Sequence, residues 1–440
     1  TPVRRARAQL GEKRERLLRR VRTARASVIR LLTFTTLYPN AIHPRHGIFV
    51  ETRLRQLIGS GCVDARVVAP VPWFPFTHRA FGRYAKLARV PAAEQRHGID
   101  VHHPRYPVVP RFGMRWAPRL LARWAYPSVL AAASGENGAD AIDAHYFYPD
   151  GVAAAILGRR IGRPVVITAR GSDINLIAKL PGPRRAIRRA ADSAAAIIAV
   201  SNALRDQIIG LGVLPAKVHV LRNGVDLELF RPCRQEDARA GLNLDSRSWI
   251  ASVGNLVPEK GHALILDALR FLPDIGLLVV GSGAEENALR RRARANGVAD
   301  RVRFLAEVPQ AQLPRVYAAV DALVLASSRE GWPNVLLESM ACGTPVVATD
   351  VGAVADIVIS RAAGRIVRER TPLAFAAAIV ELLGTKTSRD ATRAVSERFS
   401  WEETTRKQIA IFETAIHEGD WCHGVGSDYA LPGSPGCRAV

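Results

Sequence analysis

The chain has 440 residues, 48% of them hydrophobic, which excludes a mainly disordered state and allows two or three domains. Its 62 Lys and Arg against 40 Asp and Glu leave a formal charge of +22, which suits an anionic partner: a nucleotide, a nucleic acid or an anionic membrane surface. No run of about 18 consecutive apolar residues occurs, so no transmembrane helix is expected.

In chain order, residues 1–26 form a basic arm, densest over Arg4–Arg25. Arg16–Arg25 followed by Val28–Leu37 imitates a signal peptide. Arg30 interrupts it, however, and no small-residue cleavage pattern follows, so Val28–Phe34 reads as the first core strand. Further apolar runs follow at Val63–Ala69, Ile99–His102, Ala141–His145, Val165–Thr168 and Ala196–Val200. Helical patterns lie between them at Phe49–Ile58, Trp116–Ala133, Val152–Ile161 and Asn202–Leu211. A second series runs through Trp249–Val253, Gly276–Val280, Val302–Leu305, Ala322–Leu325, Val346–Ala348 and Gly364–Val367. Two such alternations predict an α/β protein with two doubly wound parallel sheets, one over residues 27–212 and one over 213–398. Trp401–Glu418 reads as an amphipathic helix, and residues 419–440, rich in Gly, Pro and Ser, as a disordered tail. The five cysteines are odd in number, scattered and without a Cys-x-x-Cys, as expected in a reducing compartment.

In a doubly wound sheet the carboxyl ends of the strands face the ligand cleft. Pro39–Gly47, after the first strand, holds Asn40, His43, His46 and Gly47; it is either an ordinary β–α turn or an acceptor contact at a helix start. Asp143-Ala144-His145-Tyr146 closes the fourth strand. His145 there is either a hydrogen-bonded structural residue or a cleft group whose second ring nitrogen needs an orienting partner. Thr168-Ala169-Arg170-Gly171-Ser172-Asp173 closes the fifth. Arg170 offers a planar contact to an anion or to the cleft wall, and Asp173 is a candidate N-cap. Ser201 is another candidate cap. Arg222-Asn223-Gly224-Val225-Asp226 reads as hinge and cleft wall, with a tight turn of positive φ expected at Asn-Gly. In the second half, Gly254-Asn255 through Lys260-Gly261 and Gly281-Ser282-Gly283 are strand-end turns.

Ser327–Val347 is the most informative stretch. Ala322–Ala326 predicts a buried parallel strand, and Pro333 fits the first turn of a helix that Gly343 and Pro345 stop. Glu330 then lies in the strand-end turn, and Glu338 about one and a half turns into the helix. Eight helical residues span roughly 12 Å, about the reach from a sugar ring past a diphosphate to a ribose. N–H groups at the helix start favour phosphate oxygens. Pro333 supplies none, so Gly331, Trp332 and Asn334 would serve. Spacing alone is also compatible with two solvated ion pairs.

Glu330-x7-Glu338, set among Gly331-Trp332-Pro333-Asn334 and Met340-Ala341-Cys342-Gly343-Thr344-Pro345-Val346-Val347-Ala348, with Gly352 beyond, resembles the signature of retaining nucleotide-sugar glycosyltransferases of family 4. The resemblance covers roughly residues 28–418. It implies a GT-B fold, two Rossmann-like domains facing a cleft, with the helix over 400–418 crossing back to the first domain. It further implies that Glu330 and His145 orient the donor sugar, that Glu338 anchors the ribose, and that Lys260 and Asn255 stabilise the departing diphosphate. Gly254, Gly281, Glu307 and Val308 would line the nucleotide, with Gly331, Trp332 and Asn334 at its phosphates. Gly47, Arg170, Gly171, Asp173 and Asn223 would line the acceptor side or cleft wall. Two positions depart from the pattern. Arg170 replaces the histidine of His-Gly-x-Asp, and Asn255 stands where an arginine is common, with Arg222 or Arg329 as candidate substitutes.

Leu37-Tyr38-Pro39-Asn40 and His46-Gly47-Ile48-Phe49-Val50-Glu51 resemble the opening loop of bacterial enzymes that build teichuronic-type or exopolysaccharides. That implies a cytoplasmic enzyme acting on a glycan or lipid-linked glycan at the inner membrane face, where Arg184–Arg189 and the basic arm would meet anionic lipid. For such enzymes attack comes from the sugar's front face, and the leaving phosphate accepts the acceptor's proton. No Asp-x-Asp at a strand end and no His/Cys cluster is present, so no metal or other cofactor is expected. A sugar-nucleotide epimerase of the same fold is the alternative. Nucleic-acid binding rests on charge alone and is not expected.

Overall fold

The computed structural model describes residues 28–418 apart from 75, 79–82, 109–112, 307 and 386. The basic arm over 1–26, the tail over 419–440 and Glu307 lie outside the described residues.

The first half contains β1 (Ile29–Phe34), β2 (Val63–Val68), β3 (Val71–Pro72), β4 (Ala93–Arg96), β5 (Ile99–His102), β6 (Arg105–Tyr106), β7 (Ala141–His145), β8 (Val165–Ala169), β9 (Ala196–Ala199) and β10 (Val218–Val220). Eight of these form one sheet in the order β10-β9-β8-β7-β1-β2-β5-β4, parallel except for the β4 edge, while β3 and β6 pair separately. The second half contains β11 (Ser248–Val253), β12 (Ile275–Val280), β13 (Val302–Leu305), β14 (Ala322–Leu325), β15 (Val346–Thr349) and β16 (Gly364–Val367), all parallel, in the order β13-β12-β11-β14-β15-β16. Helices cover both faces of each sheet, so β7, β8, β12 and β14 are buried along their whole length; β12 and β14 read as continuous apolar runs, while β7 buries Asp143 and His145 and β8 buries Thr168. The molecule is thus α/β with two doubly wound parallel sheets.

Strand order reverses between β1 and β7 in the first sheet and between β11 and β14 in the second. Ligands bind doubly wound sheets at such switch points. The loops that leave these four strands carry Gly47, the residues after His145, the Gly254–Lys260 segment and Glu330.

Three local expectations are corrected. β10 pairs with β9, so the first sheet runs past residue 212; the short Val-His-Val run was too brief to read as a strand. Pro333 is the N-cap of the helix Asn334–Ala341 rather than part of its first turn. Gly224 is not among the residues of positive φ. It is needed there because a Cβ would come within 2.6 Å of the Trp401 backbone nitrogen. The helix Trp401–His417 packs on the first sheet: Ile411, Phe412 and Ala415 join Leu31, Val50 and Leu54 in one apolar cluster. Among the described residues no helix is long and apolar enough to cross a membrane.

Candidate active site

Lys260 and Glu330 meet at the second switch point, Nζ to Oε1 at 2.6 Å. Gly261, at φ 71°, makes this possible. A Cβ there would lie 2.1 Å from the Ala326 carbonyl oxygen, so only glycine lets the Lys260 turn lie against the end of β14. Ser327 Oγ also donates to Glu330 Oε1, at 2.7 Å, which leaves Oε2 for a ligand hydroxyl. The neighbouring turns stack backbone on backbone: a Cβ on Gly281 would lie 2.0 Å from the Gly254 carbonyl oxygen. Asn255 is exposed, and its carbonyl is held by His262 Nε2 at 3.1 Å. Burial, with Lys260 close by, lowers His262 to about 4, so the ring is neutral. Arg329 pairs with Glu259 at 3.0 Å, and Arg222 with Asp356 at 3.6 Å while lying over the Trp332 ring. Both candidate substitutes for the missing arginine are thus paired with carboxylates of the protein.

Glu338 sits one turn into its helix and accepts from Tyr317 Oη at 2.8 Å through Oε2. Burial pushes its carboxyl up to about 7 although the tyrosine's hydrogen bond opposes the shift. Trp332 is buried against Phe399, with ring centroids 5.9 Å apart. Val308 is half-buried just beyond β13.

On the facing side, Gly47 caps the helix Ile48–Gly59 with φ 72°, and a Cβ on it would lie 2.1 Å from the Leu37 carbonyl oxygen. His145 is buried, with Nε2 on Asp143 Oδ2 at 2.9 Å and Nδ1 on Arg170 Nη2 at 2.7 Å. Residues two apart on a strand share a face, so Asp143 is the orienting partner despite its closeness in sequence. With both ring nitrogens engaged, His145 offers none to a sugar in this conformation; it holds Arg170 instead. Burial, reinforced by Arg170 and opposed by Asp143, lowers its pKa. Asp173 is fully buried. Its carboxylate accepts from the amides of Phe147 (2.6 Å), Gly171 (2.7 Å) and Arg170 (3.2 Å), so it ties two strand-end loops together rather than lining the cleft or capping a helix.

Arg170 lies over the Phe49 ring and reaches Asn223 Oδ1 at 3.5 Å, an oxygen it shares with Arg53 at 3.3 Å. Arg53 is buried and also donates to Gln408 Oε1 at 2.6 Å. Burial lowers both guanidiniums, Arg170 to about 9 and Arg53 to about 10, with their mutual repulsion contributing at Arg170. Asn223 Nδ2 in turn donates to Asn334 Oδ1 at 3.2 Å, joining the two halves. The halves also touch at bare backbone: a Cβ on Gly331 would lie 2.3 Å from the Arg170 carbonyl oxygen.

Two family models cover most of this frame: Glycosyltransferase Family 4 over residues 85–229 and Glycosyl transferases group 1 over residues 234–398. A putative teichuronic acid biosynthesis glycosyltransferase of Bacillus subtilis is 32% identical over 337 residues, 75% of this chain and 83% of that protein. The chain belongs to the family 4 glycosyltransferases. A D-inositol 3-phosphate glycosyltransferase of Segniliparus rotundus is 37% identical over a shorter stretch of 218 residues, 47% of this chain and 49% of that protein. Among solved structures, sucrose-phosphate synthase from Thermosynechococcus elongatus matches with TM-score 0.73 at 19% identity, over 88% of this chain and 99% of that one. Anabaena HepE in complex with UDP and glucose matches with TM-score 0.67 at 20% identity, over the same shares. These two likenesses establish the GT-B fold of the glycosyltransferase.

Four residues of the site went unread in the sequence: Arg53, Gln408, Tyr317 and His262. Arg53 alone left a local signal, an arginine on the apolar face formed by Val50, Leu54 and Leu57. Among the described residues no group of three or more His, Cys, Asp or Glu is arranged to hold a metal.

Proposed function

We propose that this glycosyltransferase moves a sugar from a nucleotide-diphosphate donor to a hydroxyl of a glycan or lipid-linked glycan, with retention at the anomeric carbon, in cell-surface polysaccharide synthesis. The observation that carries the reading is the Lys260–Glu330 contact at 2.6 Å, on the turn that leads to Glu338. A cation beside a carboxylate with one free oxygen suits a diphosphate next to a sugar hydroxyl. Lys260 and the helix N–H groups would take up the charge that grows on the departing phosphate. Glu330 Oε2 would orient the sugar, and Glu338 Oε1, left free by Tyr317, would accept from the ribose. Asp143 and His145 would act at one remove by fixing Arg170 at the acceptor side. Attack from the sugar's front face would pass the acceptor's proton to the leaving phosphate, so no second carboxylate is required. The relationship to the Bacillus subtilis protein supports an acceptor of the polysaccharide-building class, and we take the reaction to run in the cytoplasm without a metal.

Proton NMR of the protein with a panel of nucleotide sugars tests this. Saturation transfer to one donor, slow hydrolysis releasing the α-anomer first, and loss of both in Glu330→Ala are expected. A β-anomer as first product from an α-linked donor refutes retention, and stoichiometric isomerised donor without acceptor favours the epimerase.

A further inference from the structure

We propose that the outer face of the helix Ala117–Ala133, with the Trp116 that precedes it, is the surface by which this enzyme lies on an anionic lipid bilayer. The inference rests on the lipid-linked acceptor of the reading above, and it names the face. Trp116, Arg119, Arg123, Trp124 and Leu130 are all exposed, and their spacing puts them on the outer face of the helix, opposite buried Leu121, Ala125 and Val129. Trp116 is 53% and Trp124 51% exposed, although tryptophan is a residue that folding normally covers. Arg119 lies 5.8 Å over the Trp116 ring, so cation and aromatic are presented together. Tryptophan at the level of the lipid headgroups and arginine on their phosphates is the pairing an interfacial helix uses.

Charge supports the same occupant. From Val101 to Gly135 the chain has no Asp or Glu and carries five Arg. The turn Gly113–Arg115 packs against the helix Pro181–Ser193, whose exposed Arg184 and Arg185 extend the basic field, and exposed Met114 and Leu180 add apolar contact. This face also begins beside the cleft. Tyr148, three residues beyond His145, donates from its hydroxyl to the Met114 carbonyl. A bilayer on this face would hold a lipid-borne acceptor close to the end of β7. Large aliphatic side chains among the arginines favour acyl chains over stacked bases.

Sedimentation of the full chain with phosphatidylcholine vesicles, with and without about one third phosphatidylglycerol, tests the face without donor or acceptor. Binding to anionic vesicles that falls steeply with salt is expected. Arg119→Ala/Arg123→Ala should weaken it about twentyfold, near fivefold per arginine. Trp116→Ala/Trp124→Ala should weaken it about tenfold or more. The control Arg291→Ala/Arg294→Ala, exposed on a helix of the second half, should leave it unchanged. All these side chains are exposed, so unchanged unfolding midpoints should show that the variants are folded. Equal binding of helix-face variants and control, equal binding to neutral vesicles, or a helix-face effect on oligonucleotide binding alone would overturn the proposal. None of these outcomes touches the donor-binding experiment, so the two readings fail separately.

Discussion

Arg170 donates from Nη2 to His145 Nδ1 over 2.7 Å, which fixes the imidazole as neutral, with its single proton on Nε2 facing Asp143. A guanidinium can only donate, so the tautomer follows without further assumption. Where the family often has a histidine, this chain uses a cation to lock its neighbour.

The His145 titration should therefore respond to Arg170. In the folded protein its pKa lies below the usual value, so the unfolded chain binds the proton first. The stability this group contributes is present above the unfolded value of about 6.5 and is lost as pH falls through the lower folded one. In Arg170→Ala the repulsion is gone and the pKa should rise. The Hε1 resonance followed against pH measures it; an unmoved titration would show that Arg170 takes no part in setting it.

Lys260→Ala should lower kcat by about a hundredfold or more with a smaller change in donor affinity, because the charge it meets grows only during departure. Steady-state kinetics on the donor found by NMR separates the two effects. A rise in KM at constant kcat would reduce Lys260 to a ground-state contact.

Donor affinity should depend on Glu338 and pH. Its carboxyl titrates at about 7, raised by burial, so it is mostly protonated at pH 6 and mostly ionised at pH 8. Ionisation frees it to accept from the ribose, so Kd should fall about tenfold across that range. Because the folded pKa is the higher one, the stability this group contributes should be lost as pH rises from the unfolded value up through 7. Calorimetry with the intact nucleotide sugar, whose diphosphate does not titrate there, reads the affinity. Glu338→Gln should bind with no pH dependence.

Gly331→Ala should hold the cleft open. Its Cβ would meet the Arg170 carbonyl oxygen, and neither backbone can yield without moving its half of the molecule. kcat/KM should drop about tenfold or more for lost alignment, and small-angle scattering should show a larger radius. Gly171→Ala, at φ 128°, adds backbone strain to the same contact and should also lower the unfolding temperature.

What the sequence disclosed follows from distance along the chain. Most of the parallel strands were legible because burial makes them predominantly apolar, and β14 with its following helix carried Glu330 and Glu338 with it. β10 and the pair β3 and β6 were too short to show a period. The residues missed depend on partners from remote segments: Arg53 on Gln408 and Asn223, Tyr317 on Glu338, Gly331 on Arg170. Arg170 stood out as a departure, but only the folded chain shows that it grips His145.

Arg53 and Gln408 are 355 residues apart, and the helix that carries Gln408 closes the sheet that the chain begins with. The half expected to receive the acceptor is therefore completed last. As the polypeptide leaves the ribosome, the second sheet can fold from a contiguous stretch. The first must wait, with Arg53 lacking Gln408 and the seat of Ile411 and Phe412 open, until the helix Trp401–His417 arrives. Cleavage just after Ser400 would then leave the donor-side half whole and deprive the other of its cover, so the helix Trp401–His417 governs whether the segment around Arg53 forms a working surface.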